Sequence, residues 1–267
     1  MILVCGGAGY IGSHACVALL ESGYEVLVAD DLSNSSGKVL GRIEQITGKK
    51  PAFAEIDLCD GEATERLFWE NPDIDAVMHF AGFKAVGESV AKPLKYFTNN
   101  LRSTLSILNA MKRFNVRKMV FSSSATVYGN PAAAPIKEGF PLGATSPYGA
   151  TKLMIERMLQ DCGRADHEFK AVLLRYFNPI GAHKSGLIGE DPMGVPSNLV
   201  PYIAQVAIGK IEELRVFGSD YGTKDGKGVR DYIHVMDLAQ GHVAAIRKLD
   251  DRRMGVRDGC LLFNLGT

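Results

Sequence analysis

The sequence lacks an excess of either charge: 30 lysines and arginines stand against 30 aspartates and glutamates in 267 residues. No overall field draws such a chain to nucleic acid or to an anionic membrane, so a small molecule is the expected partner. A long apolar run is also missing. Nothing approaches the roughly 20 residues that span a bilayer, and Met1 leads into Ile2-Leu3-Val4-Cys5, too short for the apolar segment of an export signal. Paired cysteines are absent as well: Cys5, Cys16, Cys59, Cys162 and Cys260 are scattered, odd in number and mostly set in apolar runs. That usage suits small buried residues and reduced thiols in a cytoplasmic enzyme. The histidines (His14, His79, His167, His183, His234, His242) show no short ligand spacing, so no metal is expected. Without an export signal, Asn34-Ser35-Ser36 reads as a polar loop or helix cap rather than a glycosylation acceptor.

What is present is 46% hydrophobic residues with 22% charged, enough for a sizeable core. Short β-rich runs alternate with amphipathic stretches: Ile2 to Cys5 then Ile11 to Ser22, Glu25 to Ala29 then a polar loop, Ala76 to Phe80 then Pro93 to Phe114. Lys118 to Ser122 then Ser146 to Cys162, and Ala171 to Arg175, continue the rhythm. Alternation of this kind implies right-handed βαβ crossovers and an α/β fold with a parallel, doubly wound sheet. Met119-Val120-Phe121 reads as a strand buried on both faces, and Ser22-Gly23 as a helix stop. After Arg175 comes a segment dense in Gly, Pro and Asn (Asn178 to Asn198), which reads as binding loops. A helix (Asn198 to Ile208), a glycine-rich loop (Gly218 to Gly228), a strand and helix (Asp231 to Lys248) and a strand-like run at Leu261 follow.

Gly6-Gly7-Ala8-Gly9-Tyr10-Ile11-Gly12 lies between the first strand and the first helix. Such a turn with an open helix N-terminus makes an anion site without a cation, although the pattern alone also fits a structural turn. Asp30 ends the second strand about 20 residues on, where a carboxylate accepts ribose hydroxyls and repels a 2′-phosphate, favouring NAD over NADP. Asp31 reads as a solvated loop charge or as a partner in that role. Tyr148 and Lys152, one helical turn apart, read as a phenol whose pKa a fixed ammonium lowers toward that of a working base, or as a solvated face. Ser124 ends an apolar strand at the ligand-binding edge of the sheet and can hydrogen-bond the oxygen being deprotonated.

Longer strings narrow the reading. The glycine turn, Ser124 and Tyr148-x-x-x-Lys152 resemble the extended short-chain dehydrogenase/reductases. Further strings resemble the UDP-glucose 4-epimerase family in particular: His79-Phe80-Ala81-Gly82 with Lys84-Ala85-Val86-Gly87-Glu88-Ser89, Ser122-Ser123-Ser124-Ala125-Thr126-Val127-Tyr128-Gly129, Leu174-Arg175-Tyr176-Phe177-Asn178-Pro179, Gly189-Glu190-Asp191-Pro192 and Val229-Arg230-Asp231-Tyr232-Ile233-His234-Val235. The likeness runs through essentially the full length. Cys5, Asp31 and Ser103 depart from it, standing where the family usually has threonine, asparagine and glycine.

The resemblance implies a Rossmann-like NAD-binding domain over residues 1–175. Residues 176–267 would form a smaller C-terminal substrate-binding lobe, with 231–267 partly returning to the Rossmann core. It implies too that relatives continue beyond Thr267 and complete that lobe, where residues gating N-acetylated sugars would lie. By resemblance, NAD is held by Gly6, Gly9, Tyr10, Ile11, Gly12, Asp30, Asn34, Asp57, Leu58, Phe80, Ala81, Gly82, Lys84, Asn99, Ser122, Tyr148, Lys152 and Tyr176. A UDP-sugar is met by Lys84, Ser124, Tyr148, Asn178, Asn198, Leu199, Arg230 and Tyr232. Read alone, Asn99 fits a helix residue capping its neighbour and Arg230 fits a surface ion pair with Asp231. The expected reaction is interconversion of UDP-galactose and UDP-glucose, with Tyr148 as acid/base, Lys152 tuning it and Ser124 assisting, in a homodimer. A sugar-nucleotide 4,6-dehydratase would need an acid where Ala125 and Thr126 stand. A non-catalytic dinucleotide-binding protein would not need Ser124, Tyr148 and Lys152 together.

Overall fold

A computed structural model of the chain describes residues 1–192, 194, 196, 198–216, 218–251 and 259–267. Its elements, in order, are β1 (Ile2–Cys5), α1 (Tyr10–Glu21), β2 (Val26–Asp30), α2 (Lys38–Thr47), β3 (Ala52–Glu55), α3 (Gly61–Glu70), β4 (Ala76–His79), α4 (Val86–Ala91) and α5 (Pro93–Arg113). Then come β5 (Lys118–Ser124), a 3-10 turn (Ala125–Tyr128), α6 (Pro147–Ala165), β6 (Lys170–Tyr176), β7 (Asn178–Ile180), α7 (Leu199–Ala207), β8 (Tyr232–His234), α8 (Val235–Leu249) and β9 (Cys260–Leu265).

Seven strands form one sheet in the order β3-β2-β1-β4-β5-β6-β9, and the pairings are parallel. This is the doubly wound arrangement, with the chain reversing direction across the sheet between β1 and β4. Successive strand residues point to opposite faces, so each strand feeds two cores. Val4, Val28, Met78, Val120 and Val172 pack with α1, α2 and α8. Leu3, Leu27, Val77, Phe121 and Leu173 pack with α3, α5 and α6. Met119, Val120 and Phe121 are fully enclosed, as a strand covered on both faces requires. Full burial of one such side chain contributes roughly 1.5–3 kcal/mol.

Local signals set the helix ends. Gly23 takes φ +89 and its N–H bonds Leu20 O at 3.2 Å, closing α1. Pro93 and Pro147 open α5 and α6 at a position where the missing N–H is no loss. The Ser146 hydroxyl accepts the Gly149 N–H at 3.1 Å, completing the cap of α6.

The polar stretch after β2 departs from expectation, because it carries α2. Only Ile43 of that helix is buried, and its remaining residues face outward or lie half-covered. A small second sheet pairs β7 with β8 in parallel, Asn178 opposite Tyr232. Among the described residues no helix is long and apolar enough to cross a membrane.

Candidate active site

The turn between β1 and α1 is built from glycines with different reasons for being glycine. Gly6 sits at φ +78, and a Cβ on it would lie 2.6 Å from the Ala81 nitrogen. A Cβ on Gly12 would lie 2.2 Å from Gly6 O. The protein's own backbone therefore excludes side chains at both. Gly9 is different: a Cβ there would meet only Gly6 O, at 3.4 Å. The space before it is the front of the first turn of α1, whose N-terminus has no side-chain cap. Free N–H groups and room for close approach are what a pyrophosphate requires.

Asp30, 8% exposed at the end of β2, holds this turn from the next strand. Its Oδ2 accepts the Ala8 N–H at 3.0 Å, and Oδ1 accepts from Leu32 N–H at 3.0 Å and the Ser35 hydroxyl at 2.8 Å. Asp31 is exposed and, among the described residues, accepts only from Ser33, and Asn34 lies exposed in the same turn. Tyr10 donates its hydroxyl to Gly181 O at 2.7 Å, tying α1 to the segment after β7, while Ile11 packs half-buried on the core. Asp57 accepts the Cys59 N–H at 2.8 Å, and Leu58 is buried. Phe80 and Ala81 donate their N–H groups to Cys5 O at 2.8 and 3.0 Å, and Gly82 follows at φ +146. Asn99 does not cap a helix neighbour; its amide reaches the Cys59 sulfur at 3.5 Å.

At the carboxyl edge of β5, Ser124 Oγ accepts the Thr126 N–H at 3.2 Å and the Thr126 hydroxyl at 3.0 Å. The same hydroxyl lies close enough to the Tyr148 phenol to lower its pKa. Lys152, 5% exposed, donates to Ser122 O at 2.7 Å, and its Nζ stands 4.8 Å from the Phe121 ring centre and 5.9 Å from that of Tyr148. Burial pushes the Tyr148 phenol up to about 12, with the Ser124 hydroxyl opposing. Burial lowers Lys152 to about 8, with Glu156 opposing. The expected lowering of the phenol by the ammonium is thus not found in the protein alone. Desolvation sets the direction, and the ammonium is directed at the Ser122 carbonyl.

Ser122 also bonds the Tyr176 hydroxyl. Tyr176 and Phe80 flank the His242 ring, with centroids 5.8 and 4.8 Å away. His242 is wholly buried, Nδ1 bonded to Leu238 O at 2.8 Å and Nε2 without a partner among the described residues. These three rings lie on the helix-α8 side of β4 and β6.

The substrate candidates are placed less evenly. The Asn178 amide donates to Asp231 O at 2.8 Å beside Tyr232. Asn198 precedes α7 and donates to Glu190 at 2.6 Å, followed by half-exposed Leu199. Glu190 also meets Lys84 at 3.0 Å, so one carboxylate joins a cofactor candidate to a substrate candidate. Arg230 is exposed and donates to Val229 O at 2.8 Å rather than pairing with Asp231. The carboxylate of Asp231 instead accepts the Thr267 N–H at 3.1 Å. Among the described residues no group of His, Cys, Asp or Glu could hold a metal.

Residues 2–257 match the profile of the NAD dependent epimerase/dehydratase family. The chain belongs to that family. This family member is similar to the UDP-glucose 4-epimerase of Bacillus subtilis, 62% identical over 266 residues that span 100% of the chain and 77% of the relative. It is also similar to a crystal structure of UDP-glucose 4-epimerase from Bifidobacterium longum in complex with NAD+ and UDP. That likeness has TM-score 0.94 and 54% identity, covering 100% of this chain and 78% of that one. A third likeness, to the Stenotrophomonas maltophila enzyme with bound NAD and formylated UDP-arabinopyranose, has TM-score 0.94 and 50% identity over 100% of this chain and 77% of that one.

Four residues of this epimerase/dehydratase chain gain a place that the sequence reading had not given them. Asn100 clamps the loop after β4, its Oδ1 accepting the Phe83 N–H at 2.8 Å and its Nδ2 reaching Phe83 O and the Thr151 hydroxyl at 3.0 and 3.1 Å. Glu190 bridges Lys84 and Asn198, and Glu156 pairs with Arg175 in the core. Their partners are far away in the chain, so only the strings containing Glu190 and Arg175 marked them beforehand.

Proposed function

We propose that the chain interconverts UDP-galactose and UDP-glucose by transient oxidation at sugar C4. The observation that carries the reading is the meeting of Ser124, at the carboxyl edge of the sheet, with the Tyr148 phenol, Lys152 being buried with its Nζ 5.9 Å from the Tyr148 ring centre. NAD dependence is the family's property. The fit of NAD to these residues rests on the open N-terminus of α1, the room in front of Gly9 and the Asp30 carboxylate at the end of β2. Gly6, Gly9 and Gly12 would hold the pyrophosphate, Asp30 the ribose, and Phe80, Lys84, Ser122, Lys152 and Tyr176 the nicotinamide half. When bound, NAD supplies a reversible hydride acceptor.

Tyr148 takes the 4-OH proton and Ser124, beside the phenol, relays or steadies it. A phenol at about 12 is a poor base near pH 7, so a cationic ring beside it and the buried Lys152 ammonium together would bring it into range. The 4-keto sugar turns over between the two half-reactions, which requires that binding energy sit on the UDP part. Asn178, Asn198, Leu199, Arg230 and Tyr232 would supply it. No group that could donate a proton for dehydration stands at Ala125 or Thr126.

The protein would act as a cytoplasmic homodimer. Leu94 and Leu105 on α5 and Met154 on α6 support the dimer, being 78%, 48% and 46% exposed on adjacent helices. The purified chain given UDP-galactose is expected to form UDP-glucose with no net change in the redox state of bound nicotinamide. Bound NAD with no product from any UDP-hexose would overturn the reading.

A further inference from the structure

Behind Ser124 and Lys152 lies a buried polar network that the reaction above does not use. Glu156 and Arg175, each with a side chain 2% exposed, form a two-point ion pair: Nη2 to Oε2 at 2.6 Å and Nε to Oε1 at 2.9 Å. The Ser123 hydroxyl donates to the same Oε1. Arg175 Nη1 reaches the Tyr128 hydroxyl at 2.9 Å, and its guanidinium lies 4.8 Å from the Tyr128 ring centre. Tyr128 in turn donates to Asn264 Oδ1 on β9 at 2.6 Å.

Placement of this kind has a cost. Two charges taken out of water are often no more stabilising than apolar side chains of the same volume, so such a pair does not explain itself by stability. Position is the distinguishing fact. Glu156 is one helical turn beyond Lys152 on α6, and Ser123 and Tyr128 flank Ser124 on β5 and its 3-10 turn. The ionisable groups around Lys152 are Tyr148 and Glu156 on its own helix, His79 on β4 and, through Ser122, Tyr176 on β6. Burial keeps His79 and both tyrosines neutral at pH 7, leaving Glu156 to supply negative charge.

We infer that Glu156, anchored by Arg175 and Ser123, is a positioning residue that keeps Lys152 in its ammonium form and so fixes the alkaline limit of the reaction. Arg175 holds the carboxylate stationary, and the two-point geometry prevents it from swinging onto Lys152 and cancelling the charge that the phenol and the cofactor site require. The inference rests on the proposed roles of Tyr148 and Lys152.

The test uses the NAD-loaded chain, with UDP-galactose turnover against pH and the titration of Lys152 followed by carbon NMR in lysine-labelled protein, its signal assigned with Lys152→Met. Glu156→Gln is expected to move both the alkaline loss of kcat and the Lys152 titration down by about one pH unit with KM unchanged. Glu156→Asp, which keeps the charge, is expected to retain the wild-type limb. Because Glu156→Gln strands Arg175, the double variant Glu156→Met/Arg175→Met provides a folded comparison, with a shift in the same direction but smaller, since the Arg175 charge leaves with the carboxylate. A folded variant whose Lys152 titration matches wild type overturns the inference even if turnover falls. Failure of the underlying reading looks different: wild type would not turn over UDP-galactose, or Tyr148→Phe would retain activity, whatever Lys152 titrates at.

Discussion

Lys152 Nζ lies 2.7 Å from the carbonyl oxygen of Ser122, two residues before Ser124 on β5. One ammonium therefore ties the helix carrying Tyr148 to the strand carrying Ser124. Its burial lowers it to about 8 from an ordinary 10.5. Between those values the unfolded chain holds a proton that the folded chain has given up, so this group makes stability rise with pH across that window. Urea midpoints of the protein without ligands should increase from pH 8 to 10, and the slope should flatten in Lys152→Met. That variant should also lose turnover by about 10²-fold or more.

Tyr148→Phe removes the hydroxyl proposed to take the proton at C4 and leaves the ring packing in place. Turnover should fall by about 10²- to 10⁴-fold while NAD stays bound, read by coupled assay and by nicotinamide absorbance after denaturation. Full activity in that variant would reject the role.

Gly9→Ala and Gly12→Ala separate fold from ligand. The Gly12 methyl would press within 2.2 Å of Gly6 O, so a melting temperature lowered by several degrees is expected, about 1–3 kcal/mol of overpacking. The Gly9 methyl finds only one neighbour, at 3.4 Å, so thermal stability without ligand should hold while NAD affinity drops. Equal thermal losses in the two variants would count against the pyrophosphate assignment.

These glycines also show what could be read from the chain. Strands β1, β2, β4, β5 and β6 were legible because both faces are covered and their apolar runs are nearly continuous. The edge strand β3, Ala52–Glu55, was not: its residues are mostly exposed and carry no such run. Helix α2 was hidden for the same reason, with Ile43 as its single buried side chain. Helix α3 carried a readable cap, Asp60 accepting the Glu62 and Ala63 N–H groups, but no run strong enough to draw attention to it. In the site, Ser124, Tyr148 and Lys152 were legible by spacing and family strings. Glu156 was not, since nothing local marks a glutamate whose partner lies 19 residues away on another element.

Acid should weaken the fold through its buried histidines. Burial lowers His79 to about 3 and His242 to about 4 from an ordinary 6.5. As pH falls below 6.5 the unfolded chain gains protons that the folded chain refuses, and stability declines. Denaturant midpoints should drop between pH 6.5 and 4, less steeply in His242→Phe.

Leu105→Glu/Met154→Glu places charge on the exposed apolar faces of α5 and α6. Sedimentation should show the wild type as a dimer and the variant as a monomer with an unchanged far-UV spectrum. A wild-type monomer at micromolar concentration would remove the dimer from the proposal.

Strand β9 pairs with β6 by joining residues 260–265 to residues 171–176, with some ninety residues between them, and Asn264 on it caps the chain of bonds from Tyr128 to Arg175 and Glu156. A growing polypeptide that has emerged only as far as α8 thus holds a bare flank on β6 and a charged pair missing its last hydrogen-bond partner. Loop closure of that length is slow and favours non-native edge pairing. The same strand that finishes the sheet therefore decides when, during synthesis, the helix carrying Tyr148 and Lys152 acquires its settled electrostatic surroundings.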